Sequence, residues 1–151
     1  MFMHLYAHLL TNNFIQIIKA GAVGECMFFI ASGSVSISTA NGQELCHLED
    51  GDYFGEIAFI LKNRKVCSHK FDNSTKIKIY NPKFTRKYFK LPLQRIVNVM
   101  AIEFCEIYIL DFANLKRYVQ INETIKQKLT ESANERMEAT LKAEELFKKQ
   151  L

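Results

Sequence analysis

Residues Asp52–Lys65, DYFGEIAFILKNRK, set a glycine and a glutamate side by side at the head of an apolar run that ends in a basic cluster. A carboxylate drawn out of water into apolar surroundings is costly unless hydrogen-bond donors meet it. Taken alone, Gly55-Glu56 supports two readings. Either Glu56 caps a local turn or helix start, or Gly55, Glu56 and the amides that follow form a nest for an anion, with the carboxylate accepting from a hydroxyl. The surroundings of the pair have to decide.

Upstream, the chain reads as short strands. SVSIST (34–39) alternates hydroxyl residues with Val35 and Ile37, the period of a strand with one wet face. Asn41-Gly42 follows as a hairpin signal, because both residue types tolerate positive φ. ELCHL (44–48) then returns. Before these, FIQIIK (14–19) and MFFIAS (27–32) are strand-like runs separated by the turn AGAVGE. All six glycines fall between Gly21 and Gly55, which places the tight turns in the first half. Several short strands joined by turns predict a small sandwich or barrel.

Downstream, IVNVMAIEFCEIYIL (96–110) is rich in β-branched and aromatic residues and predicts one long or two short strands. The period then changes. In DFANLKRYVQ, Phe112, Leu115 and Tyr118 are spaced as on a helix, with Asp111 as N-cap. From Asn122 onward, Ile125, Leu129, Ala133, Met137 and Leu141 recur every four residues among Lys, Glu and Gln, predicting a long amphipathic helix over 122–151.

Composition bounds the function. The 151 residues are 48% apolar and 24% charged, ordinary for one globular domain with a real core. No apolar run approaches the ~20 residues that span a bilayer. MFMHLYAHLL lacks the basic region and cleavage site of a signal peptide, so a cytosolic or membrane-peripheral location is expected. Cys26, Cys46, Cys67 and Cys105 form no CxxC pair, which favours reduced thiols over a disulfide framework and gives no metal-ligand spacing. The net charge of +4 is local: residues 66–94 hold seven basic residues and one acid, so they carry +6 and the remainder −2. No basic reading element results, and nucleic acid is not an expected partner. No nucleophile–base pair, metal cluster or paired carboxylates stands out, which points to a binding module, not an enzyme.

The residues IIKAGAVGECMFFIASGSVSI, NGQELCHLEDGDYFGEIAFI and RIVNVMAIEFCEIYILD, followed by two helices ending ANERMEATLKAEE, resemble the cyclic-nucleotide-binding domain family. The likeness is greatest to the C-terminal cytoplasmic domain of hyperpolarization-activated and other cyclic-nucleotide-gated cation channels. It implies a mainly β fold with C-terminal α: a closed β-roll (double-stranded β-helix or jelly-roll) over 14–121, then a lid helix over 122–151. Its ligand would be cAMP, ahead of cGMP, with no other cofactor.

Carried over residue by residue, the resemblance makes Glu56 the acceptor for the ribose 2′-hydroxyl. Phe54, Gly55, Ile57 and Ala58 become the start of a phosphate cassette whose helix aims its amides at the cyclic phosphate. Arg95 becomes the phosphate arginine, a charge-assisted and bidentate role that lysine fills poorly. Arg136 and Met137 fall where the lid meets the purine, although Met137 also reads as an ordinary packing residue of the apolar stripe. Ile96 stands where many relatives carry a hydroxyl or small residue, a change that would weaken cGMP more than cAMP.

Two segments depart from the pattern. Removing 66–94 gives FGEIAFILKNRKRIVNVMAIEF, a continuous cassette, so this basic stretch reads as an addition, by loop insertion or by an in-frame retained intron. Residues 1–13 read as an atypical extension in which the family's leading helix and first strand are not recognisable. The resemblance implies a fragment of a voltage-gated, cyclic-nucleotide-modulated cation or potassium channel. Its partners would be the pore-forming transmembrane region, in a homotetramer at the cytoplasmic face of the plasma membrane. The alternatives are a regulatory domain of a cyclic-nucleotide-dependent protein kinase, and an interaction module whose nucleotide site has decayed.

Overall fold

The computed structural model describes residues 7–11, 14–67 and 94–151. The bulk of the basic segment 66–94 and the first residues of the chain lie outside them. Strands β1 (Ala7–Thr11), β2 (Gln16–Ile18), β3 (Cys26–Ser32), β4 (Val35–Thr39), β5 (Glu44–Leu48) and β6 (Tyr53–Phe54) lead into helix α1 (Glu56–Cys67). Strands β7 (Val97–Ala101) and β8 (Cys105–Asp111) follow, then helices α2 (Phe112–Ile121) and α3 (Glu123–Gln150).

The strands form two antiparallel four-stranded sheets, in the orders β1-β8-β3-β6 and β2-β7-β4-β5. Alternation decides what each strand buries. In β4, Val35, Ile37 and Thr39 point inward while Ser36 and Ser38 lie between them, half-buried. Phe28 and Ile30 of β3, Val99 and Ala101 of β7, and Cys105 and Ile107 of β8 complete the core between the sheets. Met27, one position out of phase with Phe28, faces the other way and joins Leu110, α1 and the two C-terminal helices in a second core.

The mixed β and C-terminal α architecture is as the sequence predicts, but the closed β-roll is not. Each sheet is open. Strands β1 and β6 are the edges of one, β2 and β5 the edges of the other, and among the described residues no ladder joins an edge to the opposite sheet. The chain crosses from one sheet to the other through bends instead. Between β1 and β2, Phe14 takes a positive φ of 62° and donates its amide to Ala101 O at 2.6 Å. Strand β6 has only two residues, too few to continue a ladder around a corner. The described residues therefore form a sandwich whose faces are held by side chains, and whose edge strands are not laddered to each other.

Three further differences are local. Strand β1 forms within the supposed extension, and its five residues pair with β8 in unbroken register, from Ala7 with Ile109 to Thr11 with Cys105. The β4–β5 hairpin gives positive φ only to Gly42, and Thr39 organises the turn by accepting from Gly42 N and Gln43 N. The apolar stripe of α3 is buried at Leu129, Ala133 and Met137, but Ile125 is exposed.

Helix starts follow local chemistry. Asp111 caps α2, its carboxylate accepting from Asn114 N at 2.9 Å, and Asn122 caps α3 by accepting from Ile125 N at 3.1 Å. The bond from the Asn114 amide holds the Asp111 carboxyl below its usual range. Replacing Asp111 by alanine is expected to cost about 1 kcal/mol. Because the folded pKa is depressed, that contribution is present at neutral pH and disappears as the pH falls below about 4. Urea unfolding at two pH values checks both statements.

Candidate functional site

Helix α1 begins at Glu56 and is apolar on every side in its first two turns. Ile57, Ala58, Phe59, Ile60 and Leu61 are all buried, so this helix is wedged between the sandwich and α3. Its entry requires Gly55, which has φ of 89°; a Cβ there would also stand 3.2 Å from Cys26 O. Gly24 serves the same region differently. A Cβ on it would come within 2.7 Å of the Ala58 Cβ and 2.9 Å of Arg95 Nε, so its bare backbone makes room for both.

The Glu56 side chain has no exposed surface. Its Oε1 accepts from Arg136 Nη1 at 2.8 Å and from the Ser132 hydroxyl at 3.3 Å. Arg136 Nη1 also donates to Tyr53 O at 2.8 Å, and the guanidinium lies 5.4 Å from the centre of the Tyr53 ring. The last helix is thus clasped to the start of α1 through one carboxylate. Burial pushes the Glu56 carboxyl above its ordinary range, while the Arg136 charge, the Glu56 amide and the Ser132 hydroxyl pull against that rise.

Arg95, just before β7, is buried as well. It donates from Nη1 to Gly55 O at 2.9 Å and from Nη2 to Cys26 O at 2.5 Å. Its guanidinium lies 5.8 Å from the Phe28 ring centre and 5.9 Å from that of Phe112. Two of its five N–H groups therefore have main-chain partners, and the group stays in the wall of a cavity.

That cavity, about 90 Å³, lies between the sheet end and α3. Of the residues singled out in the sequence, Phe54, Gly55, Glu56, Ile57, Ala58, Arg95, Ile96 and Arg136 all border it. Met137 does not; it is buried in the core with Leu129 and Ala133. Phe54 has a second task, stacking on Phe28 at 5.0 Å in the core between the sheets. Sequence reasoning missed Tyr53, Ser132, Cys46 and Thr140. Ser132, Arg136 and Thr140 recur every four residues, so helical spacing held a signal for them. Tyr53 held none, because it acts through its carbonyl and ring face.

Chemically, the wall offers two guanidinium groups, one carboxylate and the N-terminal end of a helix, set in an otherwise apolar lining. That suits an anion carrying both an apolar body and a hydroxyl. Among the described residues there is no cluster of three or more potential metal ligands, and no helix long and apolar enough to cross a membrane.

Residues 16–77 match the family model of the cyclic nucleotide-binding domain, a match that extends into the basic segment. A stretch of 56 residues is 41% identical to the potassium/sodium hyperpolarization-activated cyclic nucleotide-gated channel 2 of Homo sapiens, covering 37% of this chain and 6% of that protein. Channel 1 of Homo sapiens is 43% identical over the same length and shares. Channel 4 of Oryctolagus cuniculus is 41% identical over 56 residues, 37% of this chain and 5% of that protein. The aligned stretch is thus a small part of those long relatives. Residues 16–77, less than half of the chain, thus resemble the cyclic nucleotide-binding domain, and 56 residues resemble part of the hyperpolarization-activated cyclic nucleotide-gated channels.

Proposed function

We propose that this domain senses a cyclic nucleotide, cAMP in preference to cGMP, with Glu56 receiving the ribose 2′-hydroxyl and Arg95 and the α1 amides receiving the cyclic phosphate. The observation that carries the reading is the Glu56 carboxylate at the head of α1. It is fully buried, borders the cavity, and keeps Oε2 without a hydrogen-bond partner among the described residues. Buried carboxylate oxygens are ordinarily satisfied, so an open one beside two guanidinium groups suits a hydroxyl-bearing anion. Ile96, buried in the same wall, offers no hydroxyl to a guanine, which favours the adenine ligand.

The cavity as it stands is smaller than the roughly 300 Å³ of the smallest usual ligand pockets. Entry of a nucleotide therefore requires α3 to move outward, with ligand then favouring one lid position over the other. That difference in affinity is what a regulatory domain transmits. By analogy with the channels it resembles, we place the domain at the cytoplasmic face of the plasma membrane, in a tetramer and coupled to a pore. We also read residues 66–94, which begin in the last turn of α1 and end before β7, as inserted between the two halves of the cassette.

Titration of the intact chain with a fluorescent cAMP analogue tests the reading. Saturable binding is expected, with cGMP the weaker competitor. Glu56→Ala and Arg95→Ala should each weaken it by about tenfold or more, the equivalent of one hydrogen bond to a charged group. Absence of saturable binding at millimolar ligand would sink the proposal.

A further inference from the structure

The two oxygens of Glu56 have different neighbours. Oε1 is engaged by helix α3, through Arg136 and Ser132, whereas Oε2 is buried with no hydrogen-bond partner among the described residues. Leaving a buried carboxylate oxygen unpaired is costly, and a proton or a hydroxyl donor from a bound molecule relieves the cost. Both need the same lone pairs. We propose that a proton and the ligand hydroxyl compete for Oε2 of Glu56, so that ligand binding is proton-linked: binding expels a proton, and affinity falls as the solution is acidified. This rests on the cavity being the cyclic-nucleotide site argued above.

The neighbours of Glu56 leave it as the titrating group. From α3 come Arg136 and Ser132, from the approach to β7 comes Arg95, and from β5 comes Cys46, which borders the same cavity. Arginines stay protonated throughout the accessible range. Burial pushes the Cys46 thiol up, away from acid pH, so it stays neutral there. A cyclic phosphate diester keeps its single charge from weakly acid to weakly basic solution. Burial meanwhile pushes the Glu56 carboxyl upward, toward the range where the competition is felt.

The sign follows from linkage. A ligand that donates to the ionised carboxylate lowers its pKa, so the complex binds fewer protons than the free domain. The dissociation constant must then rise as pH falls through the free-site pKa, with a limit of about tenfold per pH unit for one proton.

The experiment measures the dissociation constant of a fluorescent cAMP analogue for the intact chain between about pH 5 and 8. Calorimetry in two buffers of different ionisation heat then counts the protons released. A rise of about tenfold toward the acid end, with net proton release at binding, is expected. A 2′-deoxy analogue, lacking the donor, should lose most of that slope. Glu56→Gln should bind with a flat profile. His47→Gln should behave as the native chain, because His47 is exposed and paired with Glu44 at 3.1 Å. A flat profile for the native chain, or a slope that survives in Glu56→Gln, overturns the proposal. Should Glu56→Gln fail to fold, the 2′-deoxy comparison decides alone. Absence of binding at every pH would instead strike the assignment of the site and remove this proposal with it.

Discussion

Arg136→Ala is expected to lower stability by about 3 kcal/mol near neutral pH and by less in acid, because removing one partner of a buried ion pair strands the other. In the native fold Arg136 is the sole cation hydrogen-bonded to the Glu56 carboxylate among the described residues, at 2.8 Å, and the carboxylate is shut away from water. Without that charge, burial acts on Glu56 unopposed and its carboxyl rises further. The sign then follows. A carboxyl whose folded pKa exceeds its unfolded value costs stability as pH rises, and the variant suffers this more than the native chain. In acid, Glu56 holds a proton, and the remaining loss is the hydrogen bond to Tyr53 O and the contact with the Tyr53 ring. Urea unfolding of both proteins at the two pH values makes the comparison. A stability difference that does not change with pH would show that Arg136 acts by packing on Tyr53 and not by neutralising Glu56.

Arg95→Ala should cost a comparable amount, about 3 kcal/mol, for a different reason: it takes a charged donor from two half-buried carbonyls, each such loss worth roughly 1–3 kcal/mol. Gly55 O and Cys26 O receive from the two ends of one guanidinium, which ties the turn before α1 to the first residue of β3. The planar group also lies near both Phe28 and Phe112, joining the core between the sheets to the core under the helices. Lysine has the charge but neither the fork nor the flat face. Arg95→Lys is therefore expected to recover less than half of the loss in chemical denaturation. Full recovery by lysine would mean that charge alone matters at this position.

These two arginines mark how far the residues could be read in one dimension. Arg95 and Glu56 were visible as candidates through resemblance, and both border the cavity. The bonds that the two arginines make to main-chain carbonyls were not. Tyr53, Gly55 and Cys26 answer the arginines through main-chain carbonyls, which every residue possesses and no pattern advertises. The resemblance put both Arg136 and Met137 where the lid meets the purine, yet successive helix positions point about 100° apart. One meets Glu56, and the other joins the apolar core.

The strands show the same division. Alternation in SVSIST, the glycine-bearing turns and the change to helical spacing after Asp111 depend on neighbours close in sequence, and they hold in the structure. Strand β1 could not be found that way, because it is defined by its pairing with β8, about a hundred residues distant. The residues also could not say whether the sheets close. Period-two patterning fixes which face of a strand is apolar, but it does not choose the strand that an edge will pair with. Local sequence thus determined most of the element types and their order. Only the tertiary structure decided that the sheets stay open, that α3 takes one oxygen of Glu56, and that the other oxygen has no partner of its own. The reason is that pairing and burial depend on distances between residues far apart along the chain, which periodicity does not encode.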